Sequence, residues 1–214
     1  MRLQHCMIAA SLSLATVLFG CAAPERSRNV ADAQVSGQTL AVQVCSICHG
    51  VTGNSVSPLY PNLAGQQEDY LVAQLTDFRG HVRKDGVATQ YMWGFTHLTE
   101  SQVKELAKYF ASQPPMRCDV NPSSGAREKG ATIFAKGASD AKVTPCESCH
   151  GVAGQGVGTI PRIAGQHADY LAKQIDVFRN TDTRPRGAAM KMECHALTKP
   201  DVDAVTTYLE TLGR

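Results

Sequence analysis

The chain has 214 residues, about a third more than a typical single domain, so length alone allows one large domain or two small ones. With 43% hydrophobic and 19% charged residues, a formal net charge of +2 and no long run of one sign, its composition is that of an ordinary globular protein, and neither disorder nor nucleic-acid binding is indicated. Eight cysteines against one tryptophan are too few for a disulfide scaffold of this length and too many to be incidental.

Residues 1–20 read as a signal peptide. Arg2 supplies an early charge, and the apolar stretch from Met7 to Phe19 is shorter than the ~18–20 residues of a transmembrane helix. Leu18-Phe19-Gly20-Cys21 resembles a bacterial lipobox, which implies that Cys21 becomes the lipid-modified first residue of the mature chain. Phe19 is bulkier than that motif usually carries, and ordinary cleavage near Ala22-Ala23 is the alternative. Either reading predicts export, to a periplasmic location. Residues 21–35, polar and without apolar periodicity, are expected to form a flexible tether.

Self-comparison then settles the number of domains. Cys45-Ser46-Ile47-Cys48-His49-Gly50-Val51 recurs as Cys146-Glu147-Ser148-Cys149-His150-Gly151-Val152. Ala64-Gly65-Gln66 recurs as Ala164-Gly165-Gln166, Asp69-Tyr70-Leu71 as Asp169-Tyr170-Leu171, and Phe78-Arg79 as Phe178-Arg179. The division is two modules, 36–113 and 125–214, joined by a helix-free linker at 114–124 rich in Pro, Ser and Asn.

Each module reads as three or four short helices and long loops. A first helix is expected over Gly37–Val44 and Arg127–Lys136, and a middle helix over Glu68–Phe78 and Ala168–Phe178, where Tyr, Leu, Gln and Phe recur at helical spacing. The last helix of module one has Thr99 as N-cap with Gln102 three residues on, and Val103, Leu106, Ala107 and Phe110 on one face. In module two Thr198 caps, Pro200 falls in the first turn, and Val202, Val205, Leu209 and Leu212 line the face. Six Phe and one Trp leave thin cores for modules of this size.

Cys-x-x-Cys admits three readings: zinc knuckle, thiol redox pair or haem attachment. No second ligand pair follows at zinc-site spacing, and no βαβ pattern surrounds the motif. The following His decides for haem: two thiols can add to the two vinyl groups while the adjacent imidazole reaches the iron. Two such motifs, Cys45/Cys48/His49 and Cys146/Cys149/His150, predict two covalently bound haem c groups that also fill the missing core volume.

Over nearly all of 36–214 the chain resembles class I cytochrome c modules in tandem, the dihaem cytochromes of the c-four type. The resemblance implies an all-α fold of two cytochrome c domains. It further implies that Pro61 and Pro161 accept the Nδ1 proton of the ligand His through their carbonyls, and that a Gly of the first helix packs on an aromatic of the last: Gly130 on Tyr208, and Gly37 on Tyr109 or Phe110.

The family's distal ligand is a Met shortly before the last helix. Met92 is the only Met between His49 and that helix, although it stands one residue off the position Met190 holds relative to the following Leu. In module two Met190 keeps the family spacing, with Met192 as the alternative and Cys194 and His195 close behind. His81, His97, His167 and His195 are expected in surface or propionate contacts. Cys118 and Cys194 are left over, as a disulfide or as two free thiols.

The expected role is single-electron transfer. The donor would be a periplasmic dehydrogenase or a quinol-oxidising complex, and the acceptor a terminal oxidase or another reductase, with a membrane attachment through Cys21 if it is lipidated and no nucleic acid. The rival reading is a dihaem enzyme, a peroxidase or sulfur-oxidising cytochrome with one iron open or Cys-ligated.

Overall fold

The computed structural model describes residues 30–95, 97–115, 124–138 and 142–212. Among these, regular structure is helical apart from two isolated bridges, Ala138 with Val143 and Val157 with Ile160. The first module contains α1 (Gly37–Leu40), α2 (Ser46–His49), α3 (Glu68–Arg79), α4 (Gly86–Met92) and α5 (Glu100–Ala111). The second contains α6 (Ser124–Lys136), α7 (Glu147–His150), α8 (Ala168–Asn180), α9 (Ala188–Cys194) and α10 (Lys199–Thr211).

Two boundaries differ from expectation by more than two residues. A π-helical stretch, Ala41–Cys45, joins α1 to α2, so the helical path that begins at Gly37 continues through the cysteine motif instead of stopping at Val44. Helix α6 begins at Ser124, taking in the end of the linker and three residues before Arg127.

The last helices form as their caps predict. Thr99 Oγ1 accepts from the Gln102 amide at 3.2 Å while Gln102 Oε1 accepts from the Thr99 amide at 2.9 Å, and Thr198 with Asp201 forms the same reciprocal pair on α10. Their apolar faces then organise two separate cores. Helix α5 buries Val103, Leu106, Ala107 and Phe110 against Leu40, Ala41 and Leu71 from α1, the π-helical stretch and α3. Helix α10 buries Val202, Val205 and Leu209 against Ile133 and Phe134 of α6 and Leu171 and Ile175 of α8.

Gly130 lies where α6 crosses α10: a Cβ added there would overlap the Ala204 carbonyl and stand 2.6 Å from Tyr208 Cβ. Gly37 has neither Tyr109 nor Phe110 among its nearest neighbours. Its neighbours are Glu105 Cβ at 2.5 Å and the Leu106 nitrogen at 2.9 Å from an added Cβ, and its amide donates to Glu105 Oε2 at 2.6 Å. Gly37 opens its helix whereas Gly130 is well inside α6, so the first crossing meets α5 nearer its N-terminus.

The two modules face each other with approximate two-fold symmetry. Arg83 lies 4.5 Å over the Phe78 ring and Arg184 4.9 Å over Phe178. Arg83 donates to Gln74 at 2.8 Å and to Gln174 at 3.4 Å across the interface; Arg184 donates to Gln174 and, across it, to Gln74 at 3.0 Å. Arg186 grips buried Asp77 through two hydrogen bonds of 2.9 and 3.2 Å. Burial opposes the charge on Arg83, but the neighbouring Tyr170 and the Asp85 carboxylate, 2.7 Å away, hold its pKa above the ordinary arginine value.

Candidate functional site

Each cysteine motif occupies one helical turn, which is what lets two thiols three residues apart and the next imidazole address a single planar group from one side. The turns end at Gly50, φ 76°, and Gly151, φ 80°, a backbone region nearly closed to other residues. A Cβ would strike the Asn54 carbonyl in the first module and the Gln155 side chain in the second. The chain therefore reverses immediately after each His and returns through the Pro61 and Pro161 loops.

That return fixes the imidazoles. His49 and His150 are both 7% exposed, and their Nδ1–H groups donate to the Pro61 carbonyl at 2.8 Å and the Pro161 carbonyl at 2.9 Å. Burial lowers both pKa values from the ordinary histidine range, with the carbonyl bond partly opposing. Each ring is held neutral with its proton on Nδ1, so Nε2 presents a lone pair, the donor a metal requires.

The first thiol of each motif is not tuned for redox exchange. Burial pushes Cys45 up to about 12 and Cys146 up to about 11, so both stay protonated at neutral pH, whereas a reactive pair has a depressed pKa. Among the described residues no three His, Cys, Asp or Glu side chains gather as a metal site. A haem meets both conditions, because vinyl addition consumes neutral thiols and the porphyrin supplies four of the iron's ligands. The apolar surface fits it as well. Around the first motif Ile47 is 77%, Val51 55% and Val56 100% exposed, and around the second Val152 is 77% and Val157 66% exposed, an unusual display for modules with such small cores.

Met92 is the last residue of α4. Next to it, Trp93 Nε1 donates to the Arg83 carbonyl at 2.9 Å and stacks on His81 at 4.5 Å, pinning the end of that helix. Tyr60 bridges the two regions, its ring 6.2 Å from His49 and 5.5 Å from Tyr91, so the chain next to Met92 stands one aromatic ring from the imidazole. In the second module Met190 and Cys146 pack against the same core cluster, which also holds buried Cys194. Met192 is 67% exposed.

The remaining histidines divide. His97 and His195 are exposed and His81 stacks on Trp93. His167 is not at the surface: it is 7% exposed at the module interface, and its Nε2–H donates to the Ser55 carbonyl at 2.9 Å. It opens α8, and the packing of α8's N-terminus on the first module carries it inside. Cys21 and Cys118 lie outside the described residues.

Two small helical modules, each with a haem-attachment turn and a neutral, oriented imidazole, define a haem protein built by duplication. The cytochrome c family matches residues 34–114 and again 127–213, and the chain belongs to that family. A cytochrome c-552 of Acidithiobacillus ferridurans is 37% identical over 78% of this chain and 73% of its own length. A cytochrome c4 of Thiocapsa roseopersicina is 34% identical over 84% of this chain and 92% of its own. The solved cytochrome c4 of Acidithiobacillus ferrooxidans superposes with a TM-score of 0.73 at 37% identity, covering 78% of this chain and 98% of that one. Within the family the chain is a dihaem cytochrome of the c4 type: it has two covalently bound haem c groups and serves as an electron carrier, not an enzyme.

Proposed function

We propose that one haem is held by Cys45 and Cys48 with His49 and Met92 as iron ligands, and the other by Cys146 and Cys149 with His150 and Met190. When bound, the groups supply a reversible one-electron change of the iron. The protein's part is to keep that change free of rearrangement. Pro61 and Pro161 hold the imidazole proton on Nδ1, and burial disfavours the imidazolium, which has no lone pair to give an iron. Met at the sixth position favours the reduced state relative to a second His.

The protein works in the periplasm, taking electrons from a quinol-oxidising complex or a dehydrogenase and passing them to a terminal oxidase or reductase. Its near-neutral charge gives little long-range steering, so docking rests on apolar rims such as Ile47, Val51 and Val56. Lipidation of Cys21 would hold it at the membrane beside such partners.

The observation that carries this reading is the His–Pro carbonyl bond made twice, at 2.8 and 2.9 Å, in corresponding places of a duplicated fold. Mass spectrometry of proteolytic fragments from the mature protein tests it. Haem should stay covalently attached to the fragments containing Cys45/Cys48 and Cys146/Cys149, and the purified protein should cycle reversibly between redox states without reacting with peroxide. A single haem-bearing fragment, or turnover with peroxide, would overturn it.

A further inference from the structure

The carbonyls that orient the two imidazoles belong to peptide units whose other ends are held by the opposite module. The Pro61 carbonyl and the Asn62 N–H are one peptide group. The Asn62 N–H donates to Gln166 Oε1 at 2.8 Å, and Gln166 Nε2 donates back to the Asn62 carbonyl at 2.9 Å. In mirror fashion the Arg162 N–H, on the peptide of Pro161, donates to Gln66 Oε1 at 2.6 Å, and Gln66 Nε2 donates to the Arg162 carbonyl at 2.9 Å. Both glutamines are buried, Gln66 7% and Gln166 6% exposed. Each amide is further aimed by its own chain, since Gln66 Oε1 also accepts from the Gln67 amide at 2.9 Å and Gln166 Oε1 from the His167 amide at 3.2 Å.

Hydrogen bonds in a chain polarise one another. A peptide N–H that donates to an amide oxygen drives amide resonance, placing more negative charge on the carbonyl oxygen of the same unit. That oxygen becomes a stronger acceptor for the imidazole Nδ1–H, and a ring so held is the more basic ligand, favouring the oxidised iron. We propose that Gln166 is a positioning residue for the first haem and Gln66 for the second, so that each module sets the other's potential through the chain Gln side chain, Pro–x peptide, ligand His. The arrangement rests on His49 and His150 being the iron ligands. It makes the affinity of each haem for its electron depend on module docking.

The test uses Gln166→Leu and Gln66→Leu in the full dihaem protein, with Gln67→Ala as a control. Gln67 also crosses the interface, donating to the Gln155 carbonyl at 2.8 Å and the Gly156 carbonyl at 3.3 Å, but its side chain donates to neither proline peptide. Redox titrations followed through haem methyl NMR signals assigned to each haem separate the two potentials. Gln166→Leu should raise the potential of the haem attached at Cys45/Cys48, shifting the electron partition toward it by about two-fold, or about 18 mV. Gln66→Leu should do the same for the other haem, and Gln67→Ala should move neither.

A shift in the residue's own module, an equal shift in both, or none in either variant overturns the inference. If one variant fails to fold, its reciprocal makes the same trans prediction. The ligand reading fails by a different sign, the absence from the NMR spectrum of the unsubstituted protein of iron-shifted ring signals from His49 and His150, whereas those signals present with no trans shift sink only the role of the glutamines.

Discussion

Met190 and Met192 stand two residues apart on α9, and only Met190 packs against the core of its module; Met192 is 67% exposed. Residues two apart on a helix point to different faces, so one helix cannot offer both to the same iron without rotating. Met190→Ala is therefore expected to remove half of the near-infrared methionine-sulfur charge-transfer intensity of the ferric protein, leaving one of two haems without its distal ligand. Met192→Ala should leave the band intact. Absorption spectra of the two variants decide the choice.

Gly130→Ala places a methyl group into the Ala204 carbonyl and against Tyr208. The crossing of α6 and α10 has backbone on one side and cannot yield as a flexible side chain would. A loss of about 1–3 kcal/mol is expected, as for overpacked cores, seen as a lower denaturation midpoint. Gly125→Ala, in the same helix but with nothing within 4 Å of the added atom, should cost nothing and supply the comparison.

The same helix pair has an acid limit. Asp201 of α10 is held down to about 2 by its bond to Lys129 of α6, 2.8 Å away, and by the Thr198 cap. A carboxyl whose folded pKa is depressed adds stability above its unfolded value near 3.8 and loses it as the pH falls toward 2. Lys129→Ala should shift the acid unfolding of the second module to higher pH, modestly because the pair is solvent-exposed and screened. Stability curves between pH 2 and 5 measure it.

Arg186→Ala strips the buried Asp77 carboxylate of its two cross-module hydrogen bonds. Leaving a buried acceptor unpaired costs on the order of 1–3 kcal/mol, and a half-exposed Arg186 places the cost toward the lower end. The loss falls on docking, so calorimetry should show the two modules melting further apart in temperature.

Much of this was legible in the chain because the decisive signals are local. The Cys-x-x-Cys-His turns, the Thr99–Gln102 and Thr198–Asp201 boxes and the apolar faces of α5 and α10 each depend on residues within a few positions of one another. What was not legible depends on docking. His167 looks like any polar helix-start residue until the first module covers it. The repeated Ala-Gly-Gln tripeptides were visible as a repeat, but nothing in one module tells that the Gln reaches the proline peptide of the other. Gly37 lies nearest Glu105 and Leu106 instead of Tyr109 or Phe110, because the point where two helices cross is set by their relative placement, which spacing does not encode. A Gly directly after the ligand His in both copies, Gly50 and Gly151, is the sequence signal for the reversal that brings the proline carbonyl back.

The central claim is that two irons are each closed by one His and one Met. The optical spectrum of the purified ferric protein tests it most directly. The account predicts a low-spin spectrum with a methionine-sulfur charge-transfer band whose integrated intensity corresponds to two haems per chain, unchanged by added peroxide. A high-spin fraction, a band of single-haem intensity, or a rapid spectral change with peroxide would contradict it.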